Sequence, residues 1–431
     1  MRDAIVFAVI FGLLPFVFKR PAIGIMLFTW VSLMNPHRLT YGAAYNFPFA
    51  MIIGVVTLVA LFARPDPKRL PLTPLTVMLI LFMCWMTLTT FGAFEPDRAW
   101  TEWNRVMKTL FFVLVSMAAL NSEKDTKLFA AVVTLSLAFY GFKGGLFTLM
   151  SGGSSRVLGP DGTYITDNND LALALLTTVP LIWYLHLQAV QRWLKLALVG
   201  LALLTITSVL GSYSRGALLG GAAMLAVLWL KSGNKVGTGI GMLLLVPMVY
   251  LVMPEEWFGR MESINDYQED NSALGRLNSW HFAFNLAKDN LMGGGFLTFT
   301  PKVFAIYAPN PRDVHAPHSI YFQVMGEHGF VGLMIFLSIL LLGWRTGSRM
   351  IKYCKDKPDL YWARDLAAMC QVSLAGYAIG GAFLSLAYFD LLYDILIIVV
   401  LLEKVLLKKI SSADKPFPAA ELARSSAKGR A

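Results

Sequence analysis

Charge is scarce in this sequence. Asp, Glu, Lys and Arg make up 15% of its 431 residues, while hydrophobic types make up 56%; soluble globular domains carry about 25% charged residues. A chain so poor in charge has a bilayer as its main solvent. Cysteine is scarce as well. Cys84, Cys354 and Cys370 lie in or beside apolar segments with no paired spacing, which argues against a disulfide framework, a zinc site and redox chemistry. The HExxH pattern is missing, and no third His or carboxylate follows the His315/His318 pair at ligand spacing. There is no clear 20 to 50 residue repeat and no matched pair of Gly/Pro-broken helices, the feature that would point to an inverted-repeat transporter. The opening MRDAIVFAVIFGLLPFVFKR resembles a secretory signal but lacks a small-residue cleavage site, and is read as a retained first helix.

What is present is a succession of apolar runs, near residues 3–18, 22–35, 46–63, 72–93, 107–121, 128–150, 169–186, 194–212, 216–231, 237–253, 318–344, 362–385 and 389–407. A span needs about 20 residues. The runs predict an all-α polytopic membrane protein of about 12 or 13 transmembrane helices, the first two short enough for a tight, partly re-entrant hairpin. Residues 1–253 form N-terminal transmembrane helices, 254–317 one large loop with surface helices, 318–409 C-terminal transmembrane helices, and 410–431 a basic tail expected to be disordered. The net charge of +10 is dispersed over short loops such as Arg345 to Lys357 rather than gathered on one face, which excludes nucleic acid as a partner and instead gives orientation. Loops rich in Lys and Arg are cytoplasmic; those mixing acids with bases, the large loop among them, are extracytoplasmic.

Four segments carry groups suited to chemistry. In GSYSRGALLGG, Arg215 sits at a membrane boundary on the outer face, where it either snorkels to headgroup phosphates or clamps a phosphate-bearing lipid. Arg276 begins a helical pattern that stops at Gly293 to Gly295, a run that a plain C-cap and turn would also explain. In HAPHSIYFQVMGEHGFVG, His318 precedes a long apolar helix and suits a general base at the membrane surface, with N-capping or solvation as the bland alternative. His315 supports it or lies near an acceptor, while His328, deeper along that helix, is expected to be packed or hydrogen-bonded. In RVLGPDGTYITDNNDLALAL, Asp167 to Asp170 supply a helix cap and Arg156 a further positive contact. Lys143, within FYGFKGGLF, is an intramembrane cation that either binds an anion or snorkels.

Taken in order, the SRGA step at Ser214 to Ala217, the G-R-x3-W element at Gly275 to Trp280 with its Gly-rich sequel, and HxxHSxxxQxxxExG at His315 to Gly329 resemble the O-antigen ligase and O-antigen polymerase superfamily of bacterial envelope glycan assembly. The resemblance covers roughly residues 156 to 335. It departs at Ser319, where the family often has Asn, and at Asn290, where it often has Pro. DNNDLALAL and the N-terminal hairpin look most similar to O-glycosylation or O-antigen ligase-like proteins. The resemblance implies transfer of a glycan from undecaprenyl diphosphate to an acceptor hydroxyl, in the ligases a lipid A core sugar, on the periplasmic face of the bacterial inner membrane. Arg215 and Arg276 are then diphosphate contacts, Arg156 and Lys143 weaker additions, and His318 the base. Neither metal nor cofactor is expected, and the transfer inverts. Polymerase and protein O-glycosylation ligase stay open within the superfamily. A transporter or flippase of a lipid-linked or anionic solute, or a structural or sensory envelope subunit, stays open outside it.

Overall fold

The computed structural model describes residues 1–65, 69–262 and 271–413. Among them lie seventeen α-helices and no strand: α1 (Arg2–Lys19), α2 (Pro21–Met34), α3 (Phe49–Phe62), α4 (Pro74–Phe91), α5 (Pro96–Ala119), α6 (Glu123–Met150), α7 (Asn168–Gln188), α8 (Arg192–Gly211), α9 (Arg215–Lys231), α10 (Lys235–Leu243), α11 (Leu245–Val252), α12 (Glu255–Glu262), α13 (Asn271–Asp289), α14 (Pro301–Tyr307), α15 (Ile320–Cys354), α16 (Tyr361–Gly380) and α17 (Asp390–Ala413). Every apolar run of the sequence is helical. The run at 237–253 divides into α10 and α11 because Pro247 has no N–H to give the Leu243 carbonyl, which ends the first of them.

Six helical segments among the described residues are long and apolar enough to cross a bilayer: Pro74–Phe91, Glu123–Met150, Asn168–Gln188, Arg192–Gly211, Ile320–Cys354 and Pro358–Phe383. The expectation of 12 or 13 spans exceeds this. At 14 residues each, α2 and α3 reach only about 21 Å of a 30 Å hydrocarbon layer, and α17 carries Asp390, Asp394, Glu403 and Lys404. Helix α5 begins at Pro96, well before its apolar run, so that EPDRAWTEWNR, which falls between the apolar runs 72–93 and 107–121, forms amphipathic turns opened by a proline at the first helical position. The large loop holds α12 to α14; the range expected for it, 254–317, also includes residues 263–270, which lie outside the described residues.

Two helices form the axis of the bundle. Residues 171–175 of α7 and 395–402 of α17 are at most 1% exposed, as expected of helices that are apolar all round. Helix α17 is enclosed by α2, α5, α6, α15 and α16. Small residues let neighbouring backbones meet. Gly145 of α6 lies so close to α8 that a Cβ there would stand 2.2 Å from the Leu204 carbonyl oxygen. At one end of the bundle, ion pairs join basic and acidic residues: Arg20 with Asp125, Lys409 with Glu123 at 2.8 Å and Arg349 with Glu403 at 3.1 Å. The N-termini of α7, α9 and α15, with α13, gather at the other.

A break in α15 decides how the large loop docks. Gly329 has φ 67° and ψ −173°, which interrupts the helix and leaves the carbonyls before it without their usual partners. The Gly-rich stretch after α13 supplies replacements. Gly294 N–H donates to Gly326 O at 2.9 Å, and Gly295 N–H to Glu327 O at 2.8 Å. A Cβ on Gly293 would lie 2.6 Å from Gly329 N, so only glycine allows this approach. The run is therefore more than a C-cap and turn.

Candidate active site

Helix α13 holds the segment before α15 through consecutive side chains. Asn278 donates to the carbonyls of Asn310 (2.9 Å) and Asp313 (2.8 Å) and accepts from Asn310 N–H (2.9 Å). Ser279 donates to His315 O at 2.9 Å, and Trp280 to Pro317 O at 2.7 Å. The Trp280 ring stacks on Phe322 with centroids 4.9 Å apart. Gly275 completes the contact from the turn before; a Cβ there would be 2.6 Å from the His315 ring. The G-R-x3-W element is thus a template for the histidine segment. Asn290, where a proline was noted as usual, makes an Asx turn by accepting from Met292 N–H at 3.1 Å and leads into the glycines.

His318 follows the pinned Pro317 carbonyl with φ 42°, a left-handed conformation that non-glycine residues adopt only where the surroundings impose it. It is half-buried, and a cavity of about 720 Å³ opens before it, lined also by Leu274, Arg276, Asn310, Arg312, Asp313 and His315. Burial holds the His318 pKa below the usual 6.5, Arg276 and His315 lower it further, and Asp167 opposes them. The imidazole is accordingly neutral at pH 7 and able to take a proton. His315 is exposed, and its Nε2 meets Asp313 Oδ1 at 2.6 Å, which fixes the ring's orientation.

The remaining sequence candidates are distributed unequally. Arg276 shares the cavity with His318. Arg215 does not line that cavity; it is the first residue of α9, where its charge adds to the positive end of the helix, with Ser214 capping through Ala217 N–H at 3.2 Å. The two places are linked through α7, since Asn168, next to Asp167, donates to Ser212 O at 2.6 Å. Arg156 lies with its guanidinium 6.0 Å from the Tyr213 ring centroid, beside the same turn. Lys143 is on the exposed face of α6 with Phe142, Leu146 and Phe147, and lines neither this cavity nor the groove described next.

That groove, of about 930 Å³, follows α9 from Ala217 and Leu218, just beyond Arg215, to Lys231 at its other end. Its walls are almost entirely apolar, among them Leu176, Val179, Trp183, Leu203 and Leu225.

His328 is fully buried, with Nδ1 2.7 Å from Thr89 Oγ1 and its carbonyl accepting from Trp85 Nε1 at 2.8 Å, as its position in the helix suggested. Glu327 accepts from Leu297 N–H (3.0 Å) and the Tyr388 hydroxyl (2.6 Å), and Gln323 from Ala387 N–H (3.2 Å). Gln323 and Glu327 of the HxxHSxxxQxxxExG pattern therefore fasten other segments to α15. Arg312 and Asp313 escaped the sequence reading, although a charged Arg-Asp pair so near two histidines was a signal for them.

Residues 1–190 match the model of a family of unknown function (DUF5935), and residues 200–337 match that of the O-antigen ligase family. No curated protein matches the chain.

Proposed function

We propose that this chain, whose O-antigen ligase domain over residues 200–337 puts it in the O-antigen ligase-like superfamily, transfers a glycan from undecaprenyl diphosphate to an acceptor hydroxyl on the periplasmic face of the inner membrane. The observation that carries this reading is the cavity in which a neutral His318 faces Arg276 and Arg312. His318 takes the acceptor's hydroxyl proton as the oxygen attacks the anomeric carbon. The bond from that carbon to the diphosphate oxygen breaks, its electron pair stays on the phosphate, and the anomeric configuration inverts. Diphosphate leaves without prior protonation if its charge is stabilised, so one base and a positive cradle suffice where glycoside hydrolysis needs two carboxyl groups. Arg276 and Arg312 supply that cradle from the cavity, and Arg215 reaches the donor from the head of α9. The apolar groove beginning beside Arg215 suits the polyprenyl chain.

The test is to incubate purified protein with the undecaprenyl-diphosphate glycan and, in turn, a lipid A core sugar, a second donor glycan and a hydroxyl-bearing protein, with and without chelator. Transfer to one acceptor, lost in His318→Ala while donor binding survives, is the expected result. Donor crossing liposomes unaltered would replace the transferase by a transporter. A glycosyl group trapped on a protein side chain would overturn the single displacement.

A further inference from the structure

Away from this site, α17 carries two carboxylates one turn apart, Asp390 and Asp394, that are 8% and 6% exposed. They line a small cavity against α2 and α5, which Ser32, Thr29, Thr109 and Ser116 also line. The cavity has a volume of about 10 Å³, close to the space of a single water molecule. Neither carboxylate forms an ion pair with a described residue. One oxygen of Asp390, Oδ2, accepts from the Ser32 hydroxyl; the other, Oδ1, is buried without a hydrogen-bond partner.

Two of the four lining hydroxyls have their protons engaged. Ser32 gives its proton to Asp390, and Ser116 gives its own to Phe112 O at 2.8 Å, so both hydroxyls turn only lone pairs to the space between them. Beside the apolar Phe28, Phe112, Val113 and Ile397, the polar side chains lining the cavity offer carboxylate and hydroxyl oxygens and no nitrogen or sulfur, a donor set that suits a hard cation. Among the described residues Arg105 is the positive group acting on Asp390; its guanidinium stands over the Tyr164 ring at 3.8 Å and also lies 3.8 Å from Glu102. Shared in this way with Glu102, it does not neutralise the two carboxylates.

We propose that this cavity binds one Na⁺, held by Asp390, Asp394 and the surrounding hydroxyls. The ion ties α17 to α2 and α5. It thereby joins the C-terminal part of the chain, beyond the ligase domain, to the region matching the family of unknown function.

The experiment uses the full chain in detergent at constant ionic strength, with N-methylglucamine chloride replaced stepwise by NaCl or KCl, and follows saturable ²²Na⁺ binding and the melting temperature. Expected are about one Na⁺ bound per chain and a rise in Tm of about 2 °C or more that KCl does not reproduce. Asp394→Asn and Asp390→Asn should each abolish both effects. Should Asp390→Asn fail to fold, the wild-type titration and Asp394→Asn decide. Absence of saturable binding by the wild type, the result expected if the pair merely holds a proton, overturns the proposal. So does binding that persists in Asp394→Asn, or a Tm rise that KCl reproduces in full.

Discussion

A histidine that acts as a base must first be neutral, and the surroundings of His318 ensure this: burial, Arg276 and His315 all lower its pKa, against Asp167. The acid limb of the transfer rate against pH should therefore have its midpoint below 6.5, the unperturbed value. In Asp167→Asn the limb should move to still lower pH, because asparagine keeps the cap of α7 but removes the charge that favours imidazolium. An unmoved or raised midpoint would show that Asp167 does not act on His318. The stability sign is the same. Between the depressed folded pKa and 6.5 the unfolded chain binds a proton that the folded one does not, so this group's contribution falls as pH falls. His318→Ala should reduce transfer by about 10²- to 10⁴-fold, the usual contribution of a general base, with the melting temperature little changed. Both the identity of this histidine as a candidate and its place before a long helix were legible in the sequence. Its neutrality was not, because that depends on Arg276 and Asp167, which are far from it along the chain.

At the scale of elements, α13 and the glycines after it hold the histidine segment against a broken α15. Asn278→Ala removes three hydrogen bonds, each worth about 1 kcal/mol net. Hydrogen exchange over residues 308–318 should accelerate by at least about tenfold, the equivalent of 1.4 kcal/mol, while the buried turns of α7 and α17 keep their protection. Gly329→Ala should fare worse. Its φ of 67° disfavours any side chain, and a Cβ would stand 2.0 Å from Leu291 O. Loss of folded protein in detergent, or a large drop in Tm, is expected; near-wild-type stability would mean that the loop does not dock in the break. Sequence periodicity located α13 and α15 well, since apolar spacing is a local property. The break was hidden because an isolated glycine in an apolar helix looks the same whether or not another backbone approaches it.

For the molecule as a whole, His328 marks a junction between the two regions matched by different families, through Thr89 and Trp85 of α4. His328→Ala should destabilise the protein by about 2 to 3 kcal/mol, from a lost buried hydrogen bond and the cavity left behind. Transfer should persist below the lowered melting temperature, in contrast to His318→Ala. Complete loss of activity in well-folded His328→Ala would bring this histidine into the chemistry. The region that matches the O-antigen ligase family is not self-contained in this respect: α15 is anchored on α4 from one side and on the Tyr388 segment from the other.

Composition and apolar period by themselves determined a helical membrane protein, and the ordered motifs determined its superfamily, since both follow from residue types and short spacings. Which helices are long enough to span depended on where each one ends, as at Pro247 and in the 14-residue α2 and α3. Only tertiary packing decided that Arg276, Arg312 and His318 share one cavity, that Arg215 stands at the head of a separate apolar groove, and that Lys143 faces outward. The physical reason is that a cavity belongs to the space between elements. No residue's own sequence neighbourhood specifies which distant backbone will close it.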